Sequence, residues 1–374
     1  MLERFKTPVA AGLSLALPLL ALPGSAAAET DVLYGSFAPA TSAFSTGYIV
    51  PWIEAITEAT DGSVNFNYVP GGGVVDMRTA VSGIRDGVVD GAFYVTVSYA
   101  SDLPVIFMLS ELIGLGQSNA ARIGAFNEFV IEDCPECQAE LDAWNQQFLG
   151  GYSLGDYYLF CTRAVTTPED FNGLRIRAIP PYSRLFGAVG EVVPVTVSLT
   201  ESYEALQRGQ VDCHAGPAST YVTYSFIDIA DHVVELSSGA SFGGSVFTFS
   251  QDKWAEFTPE ERQAILRATA EASAHGAIAY AQEDAAALEA ARAQGSTVAP
   301  VNDAVQAALS AWIAENGTGA AERAAERGVA DAQAIVDRFL PYIDRWNALV
   351  PTDEDEAAIA EVFWTEIYAD YPSE

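Results

Sequence analysis

Segments typical of strands and of helices alternate twice along the chain, and this alternation limits the fold more than any other feature. The first third contains a strand-like segment at residues 31–37, a helical pattern at 46–60, an alternating strand at 64–69 and a buried-type strand at 89–95. The alternation restarts at residue 155 and continues to about residue 215. Strands that alternate with helices favour lobes built on a central sheet, so the sequence predicts two α/β lobes.

The chain changes character at residue 253. Thr258 and Glu261 form a capping-box pattern that opens an alanine-rich helix running towards Gly295. A helix of ~35 residues spans ~50 Å at 1.5 Å per residue, which is enough to lie across two lobes. Three more helical stretches follow, at residues 303–315, 331–349 and 353–368. We therefore expect this part of the chain to be entirely helical.

The N-terminus has the layout of a cleavable secretory signal. Arg4 and Lys6 precede an apolar run at residues 9–22, and the segment ends in small residues up to Ala28. The apolar run is shorter than the ~20 residues that a membrane-spanning helix needs. We therefore predict cleavage after Ala28 and a periplasmic location for the mature chain, with an uncleaved anchor as the alternative.

The chain is strongly acidic, and it lacks the common cofactor motifs. Its 374 residues carry a formal net charge of −32, which argues against binding to nucleic acid or to anionic membrane surfaces. An anionic ligand would therefore need a local positive group. The sequence has no P-loop, no GxGxxG and no HExxH, and its three histidines are scattered. We expect neither a cofactor nor a metal.

The four cysteines allow three pairings in an oxidising compartment. A local bond between Cys134 and Cys137 is favoured, which leaves Cys161 to pair with Cys213. A redox CxxC needs a thioredoxin-like βαβ context, and a zinc site needs a second close pair of ligands. The sequence shows neither pattern, so disulfides are the favoured interpretation.

Two short patterns suggest a hydrolase. Residues 151–155 match GxSxG around Ser153, but that motif needs a helix after the serine, and here a strand-like segment follows. Residues 250–253 match SxxK without its partner motifs SDN and KTG. A secreted serine hydrolase that uses Ser153 is therefore the less favoured alternative.

The block from residue 166 to residue 217 is the most informative part of the sequence. It combines a capped turn, Asp-hydrophobic-x-Gly-Leu-basic-hydrophobic-Arg, and Glu-x-Tyr-x-Ala-Leu-Gln-x-Gly-x-x-Asp. The pattern is carried by Asp170, Gly173, Leu174, Arg177, Pro194, Glu201, Tyr203, Ala205, Leu206, Gln207, Gly209 and Asp212. In this order the block strongly resembles the DctP-type solute-binding proteins of TRAP transporters, and weaker resemblance covers most of the chain.

The resemblance implies a fold and a division of the chain. The fold is an α/β, two-lobe, periplasmic binding protein-like fold with a ligand cleft and long C-terminal helices that brace both lobes. We expect a signal peptide at residues 1–28 and a C-terminal helical extension at 326–374. The first lobe would comprise residues 29–153 plus about 242–281, and the second lobe residues 154–241 plus about 282–325.

The resemblance also implies a function. It predicts a periplasmic receptor, not an enzyme, that captures a small organic carboxylate. The receptor would deliver this ligand to the small and large integral-membrane subunits of a TRAP-type secondary transporter. A binding protein of an ABC transporter shares the two-lobe fold but not the pattern at residues 166–217, and it remains the alternative.

Arg177 occupies the position of the arginine that pairs with the ligand carboxylate in this family. A guanidinium holds a carboxylate through two parallel N–H bonds and stays charged at any relevant pH. A structural arginine that bridges to a neighbouring acid is the alternative. Many relatives carry a second arginine where this sequence has Tyr157, and an asparagine where it has Gly216.

Several aromatic residues align with the cleft. Phe37 lies on the first strand, Tyr94 comes after Asp90, and Tyr157 replaces the second arginine. Tyr221, just past Gly216, is a further candidate, and ordinary core packing is the alternative for each. One cation surrounded by aromatic rings suits a monocarboxylate with an apolar, aromatic or cationic body.

Overall fold

A computed structural model describes residues 1–2 and 29–371 of the chain. The predicted signal peptide lies, apart from its first two residues, outside the described residues. The described part is a mixed α/β structure with two sheets and long C-terminal helices. Within it, no helix combines the length and the apolar character that crossing a membrane requires.

The strands fall into two sheets. They are β1 (Thr30–Ser36), β2 (Val64–Val69), β3 (Gly91–Phe93), β4 (Gln146–Cys161), β5 (Arg175–Arg177), β6 (Val193–Pro194), β7 (Cys213–Pro217), β8 (His232–Glu235), β9 (Ala240–Ser250) and β10 (Thr297–Pro300). The first sheet is parallel, in the order β2-β1-β3. The second has the order β10-β8-β4-β7-β5-β6, and β9 also pairs with β4. These two sheets confirm the predicted pair of α/β lobes.

Helices connect and cover the strands. They are α1 (Val50–Ala59), α2 (Ala80–Arg85), α3 (Pro104–Ser110), α4 (Asn119–Glu128), α5 (Pro135–Ala143), α6 (Pro168–Phe171), α7 (Pro180–Gly187), α8 (Ser202–Gln207), α9 (Ala218–Thr223), α10 (Gln251–Glu256), α11 (Pro259–Gln294), α12 (Asp303–Glu326), α13 (Ala332–Leu349) and α14 (Glu356–Phe363). Short π-helical segments lie at Phe44–Ile49, Phe129–Asp133 and Trp364–Tyr368, and 3-10 turns at Thr96–Ser98 and Phe226–Asp228.

Strand β4 belongs to both lobes. Its first part pairs antiparallel with β9, from Gln146 opposite Ser250 to Asp156 opposite Ala240. Its last five residues pair with β7, and the final three also pair with β8. Strand β9 reaches the first sheet through a bridge between Tyr94 and Ser245. Continuous chain therefore runs from one sheet into the other along both β4 and β9.

Helix α11 braces the two lobes, as predicted. It begins at the capping box of Thr258 and ends at Gly295, whose φ of +96° suits a residue without a side chain. On the first lobe, Trp52 of α1 donates a hydrogen bond to Thr269 at 2.9 Å. On the second lobe, the backbone N–H of Ser219 in α9 donates to Asp284 at 2.7 Å. Helix α11 thus contacts both lobes.

The hydrophobic core has two parts. The larger runs from the first sheet across α11 to the C-terminal helices, where Trp346 of α13 is fully buried. The smaller lies on one face of the second sheet and contains Phe160, Tyr221 and Phe226. Burial of such aromatic side chains supplies much of the driving force for folding.

The C-terminal part departs from the prediction in two places. It is not entirely helical, because Thr297–Pro300 forms β10 and pairs parallel with β8 at the edge of the second sheet. The helix predicted at 303–315 continues to Glu326, through Gly317 and Gly319. Tertiary packing overrides weak local helix breakers, and strand pairing selects a short segment that propensity alone does not.

The structure pairs Cys134 with Cys137 and Cys161 with Cys213. Cys161 and Cys213 lie opposite each other in β4 and β7, so this bond links neighbouring strands of the second sheet. The predicted lobe boundaries at residues 153 and 241 fall inside β4 and β9, and that at 281 falls inside α11. The exact division into lobes therefore stays a prediction.

Candidate ligand-binding site

A cavity lies between the two sheets. Its walls include Phe37 just past β1, Thr96 just past β3, Arg177 at the end of β5 and Pro217 at the end of β7. Parallel strands of α/β proteins place loops and helix starts at their carboxyl ends, and ligands bind there. The fold therefore puts this cavity where a ligand site is expected.

The cavity suits a small molecule. The volume that water-sized molecules can enter is about 100 Å³. A cavity needs at least ~10–15 Å³ on this measure to hold one water molecule, so this one has room for several waters or for a small organic acid.

Arg177 brings a buried positive charge to the cavity. The residue is 9% exposed, and its Nε donates to the backbone carbonyl of Val197 at 3.2 Å. Among the described residues, no carboxylate forms an ion pair with it. Burial lowers the pKa of Arg177, and the nearby Tyr157 and Tyr224 partly oppose this shift. An arginine keeps its charge even so, because its ordinary pKa is far above neutral.

Aromatic rings form much of the cavity wall. Phe44 packs edge-on against Tyr152 at 5.0 Å and against Tyr280 at 5.7 Å between ring centroids. Phe37 stacks on Phe93 at 5.0 Å. These rings come from the segment just past β1, the first π-helical turn, β4 and α11, so distant parts of the chain meet in this wall. Such a wall favours an apolar or aromatic ligand body.

Tyr157 stands where many relatives carry a second arginine. Its ring stacks on Tyr182 at 3.7 Å, with the planes 7° apart. Burial raises the pKa of Tyr157 well above the ordinary value, and Arg177 opposes that shift. Tyr157 therefore keeps its proton, and its hydroxyl adds no charge to the cavity.

His214 lines the cavity beside Arg177. The residue is fully buried, and its two ring nitrogens have no hydrogen-bond partner among the described residues. Burial lowers the pKa of His214 well below the ordinary value, and the charge of Arg177 lowers it further. The imidazole is therefore neutral.

Gly216 keeps the space next to His214 open. A Cβ atom at this position would lie 2.8 Å from Thr220 Oγ1 and 3.2 Å from His214 Nε2. The first distance is too short for an atom without displacement of its neighbour. The absence of a side chain at Gly216 thus preserves room for a ligand.

The structure places four of the six predicted site residues on the cavity wall: Phe37, Tyr157, Arg177 and Gly216. The other two predicted residues, Tyr94 and Tyr221, are not among the residues that line it. Successive strand residues point to opposite sides, so Phe93 faces the aromatic wall while Tyr94 packs edge-on against Tyr99 at 5.6 Å. Tyr221 points away from the cavity into the smaller core, where its hydroxyl donates to the carbonyl of Ala230 at 2.6 Å.

Sequence reasoning missed other residues of the wall, among them Phe44, Tyr152, His214, Tyr224 and Tyr280. One of them carried a usable signal, because His214 lies two residues before Gly216 on the same strand and must share its face. The others come from elements that meet only in the folded chain. Local sequence patterns do not predict contacts between such distant elements.

The hydrolase patterns have structural roles instead. Ser153 lies inside β4, fully buried; its Oγ accepts a hydrogen bond from Arg122 and donates one to Asn119. The chain continues as a strand past it, so the sharp strand-to-helix turn of a nucleophile elbow is missing. Ser250 caps α10 by accepting from the backbone N–H of Lys253. Across residues 1–2 and 29–371, no group of His, Cys, Asp and Glu could hold a metal ion.

Two solved structures resemble this fold. One is a TRAP periplasmic solute-binding protein from Bordetella bronchiseptica with bound mandelate, at 24% identity and a TM-score of 0.71, covering 84% of this chain and 99% of that one. The other is a TRAP solute-binding protein from Rhodoferax ferrireducens with benzoate, at 18% identity and a TM-score of 0.73, covering 86% and 99%. At these identities the likeness concerns the fold.

Sequence comparison gives the family. The C4-dicarboxylate-binding periplasmic protein DctP of Rhodobacter capsulatus is 27% identical over 135 residues, or 36% of this chain; the match spans only 40% of that relative's length. The sequence profile of the family described as bacterial extracellular solute-binding protein, family 7 (DctP) matches residues 34–316. Because that profile covers about three quarters of the chain, this protein belongs to the DctP family of bacterial extracellular solute-binding proteins.

Proposed function

We propose that this protein is the periplasmic receptor of a TRAP-type transporter and that it captures a small organic monocarboxylate without altering it chemically. The observation that carries the proposal is Arg177, a buried guanidinium at the cavity wall with no carboxylate partner among the described residues. The ligand carboxylate would be that partner.

The energetics favour a ligand at Arg177. A buried charge that lacks a partner is destabilising by several kcal/mol, because the protein interior replaces water poorly. A carboxylate that accepts two N–H bonds from the guanidinium removes most of this penalty. The ligand-free protein therefore holds an unpaired charge that an anion would stabilise.

The cavity favours one carboxylate over two. Among the described residues that line it, Arg177 is the one side chain with a positive charge, since His214 is neutral. A second carboxylate would meet aromatic rings and the protonated hydroxyl of Tyr157. The structural relatives from Bordetella bronchiseptica and Rhodoferax ferrireducens carry mandelate and benzoate, which are aromatic monocarboxylates. Both features support an acid with an apolar or aromatic body.

The transport role follows from family membership and from the N-terminus. The segment up to Ala28 has the layout of a signal peptide, which would export the chain to the periplasm. Binding between two lobes would shift an open–closed equilibrium towards the closed form, and the small and large membrane subunits would recognise that form. A gene pair for those subunits beside this gene would support the TRAP type over an ABC transporter.

Arg177→Ala tests the proposal. Hydrogen bonds to a charged group contribute ~1.5–3 kcal/mol each, so loss of two should weaken carboxylate binding by roughly 100-fold or more. Isothermal titration calorimetry with benzoate, mandelate, phenylacetate and succinate would measure this loss. Arg208→Ala is the matched control, because Arg208 is an exposed arginine that pairs with Glu204 on α8, and it should bind as wild type does.

A second readout separates a ligand-binding arginine from a structural one. If Arg177 serves the ligand, Arg177→Met should leave the melting temperature of the ligand-free protein unchanged or raise it, since a buried unpaired charge is removed. A structural arginine would give a lower melting temperature. Wild-type affinity in the Arg177→Ala variant, or failure of every carboxylate to bind the wild type, would overturn the proposed function.

A further inference from the structure

Arg177 and His214 are direct neighbours on adjacent strands. Strands β5 and β7 pair in parallel, with Ile176 opposite Cys213 and Arg177 opposite His214. Residues in register on neighbouring strands point to the same face of the sheet, and the strands lie ~4.8 Å apart. The imidazole and the guanidinium therefore stand side by side at the cavity.

His214 has unused hydrogen-bonding capacity. Both ring nitrogens are buried, and neither has a partner among the described residues. Phe226 packs against the ring at 4.4 Å between centroids, and Phe160 stacks parallel to it at 6.1 Å. These aromatic neighbours fix the ring but offer it no hydrogen bond. Buried polar groups in folded proteins are nearly always satisfied, so the partner of His214 is expected to come from the ligand.

The chemistry of a neutral imidazole limits what that partner is. One ring nitrogen donates a hydrogen bond and the other accepts one. A carboxylate only accepts, so it cannot satisfy the accepting nitrogen. A hydroxyl group both donates and accepts. An ammonium group could donate, but it would stand beside the positive charge of Arg177 and be repelled.

We propose that His214 recognises a hydroxyl group on the carbon next to the ligand carboxylate, and that the preferred ligands are 2-hydroxy carboxylates with an apolar body. The proposal rests on the proposed function, because it assumes that Arg177 holds the carboxylate. With the carboxylate on Arg177, the next carbon of the ligand lies beside the neighbouring strand, where His214 stands. A Cβ atom at Gly216, on the same face of β7, would lie 3.2 Å from His214 Nε2, so the glycine keeps the space beside this nitrogen free of a side chain.

Matched pairs of acids test the proposal. Mandelate is compared with phenylacetate, 2-hydroxy-4-methylpentanoate with 4-methylpentanoate, and lactate with propionate, each by calorimetry. The members of a pair differ only in the hydroxyl group. In the wild type we expect the hydroxy acid of the best-fitting pair to bind ~10–100-fold more tightly, as a hydrogen bond that satisfies a buried group provides. Phenylglycine, with an ammonium in place of the hydroxyl, should bind more weakly than mandelate.

Variants of His214 assign the preference to this residue. His214→Leu should reduce the affinity ratio of the best-fitting pair to below about threefold, while the acid without the hydroxyl binds nearly as before. His214→Asn, which keeps a donor and an acceptor, should retain part of the ratio. His275→Leu is the matched control, because His275 is an exposed histidine of α11 whose partner is Glu356, and it should keep the wild-type ratio.

The outcomes separate the two proposals. If acids bind in an Arg177-dependent manner but the wild type shows no hydroxyl preference, or the preference survives in His214→Leu, the role of His214 is wrong and the receptor function stands. Tighter binding of phenylglycine than of mandelate would also overturn the hydroxyl assignment. If no acid binds the wild type, the receptor proposal fails and this inference fails with it. Binding of phenylacetate by His214→Leu would show that this variant is folded. If the variant does not fold, the affinity ratios of the wild type and of His214→Asn test the role of His214 instead.

Discussion

The buried carboxyl group of Asp284 offers a test of how burial changes a pKa and, through it, the stability of the protein. This carboxylate lies on α11, almost completely buried, and accepts a hydrogen bond from the backbone N–H of Ser219 at 2.7 Å. Its other oxygen abuts Gly155, where a Cβ atom would be 1.9 Å away. Burial raises the pKa of Asp284 from 3.8 to about 7, although the hydrogen bonds from Ser219 oppose the shift. Asp284→Asn keeps the shape and the accepting oxygen but cannot ionise.

The direction in which pH changes the free energy of unfolding follows from the linkage between proton binding and folding. Between pH 3.8 and about 7 the folded chain holds a proton at Asp284 that the unfolded chain releases, so stability falls as the pH rises through this window. Each pKa unit corresponds to ~1.36 kcal/mol, and the part of the window above pH 5 therefore amounts to roughly 3 kcal/mol. The free energy of unfolding of Asp284→Asn, relative to wild type, should rise by about this amount from pH 5 to pH 8.

Urea unfolding followed by tryptophan fluorescence at pH 5, 6, 7 and 8 would measure this difference. Comparison of variant with wild type at each pH cancels the other titrating groups, including Glu140, whose pKa burial also raises to about 7. Glu289→Gln, on an exposed position of the same helix, is the control and should run parallel to wild type. Parallel curves for Asp284→Asn and wild type would refute the reasoning.

Two further predictions concern stability. Gly91→Ala should destabilise the protein by more than ~2 kcal/mol, because the new Cβ atom would lie 2.3 Å from the backbone oxygen of Thr248. Gly187→Ala is the control and should be neutral, because no atom lies within 4 Å of the position of its Cβ atom. Equal melting temperatures for the two variants would contradict this prediction. Replacing Cys161 and Cys213 by serine should lower the free energy of unfolding by about 4 kcal/mol, because the bond closes a loop of 52 residues, whereas the same change at Cys134 and Cys137, three residues apart, should lower it by about 2 kcal/mol. Urea titrations of the two double variants would show whether this order holds.

Features that depend on neighbouring residues could be predicted from the sequence. The capping box at Thr258 and the glycine at 295 bound α11 because they act within a turn of the helix end. Arg177 could be found because a dozen ordered matches placed it in a known pattern. Strand β10 could not, since Thr297–Pro300 becomes a strand only through its pairing with β8, more than sixty residues earlier.

The site illustrates the same limit. Phe93 and Tyr94 differ by one position, and the choice of which one packs against the aromatic wall of the cavity depends on the register of β3, which the sequence leaves open. The spacing of His214 and Gly216 indicates a shared strand face, but the pairing of His214 with Arg177 joins two strands that are more than thirty residues apart in the sequence. Tyr280 reaches the cavity from the middle of a helix that begins more than twenty residues earlier. Contacts between distant segments decide each of these cases.

The passage of β4 and β9 through both sheets also determines when the chain can finish folding. Gln146 pairs with Ser250, and Asp156 pairs with Ala240. A chain synthesised from its N-terminus therefore cannot complete the first lobe before residue 250 has been made. Until then β4 is a long strand with an unpaired edge, and such long-range pairing is slow. Until residue 250 is available, the open edge of β4 can pair with strands of other chains, so partly synthesised or partly folded molecules are expected to be the aggregation-prone form of this protein.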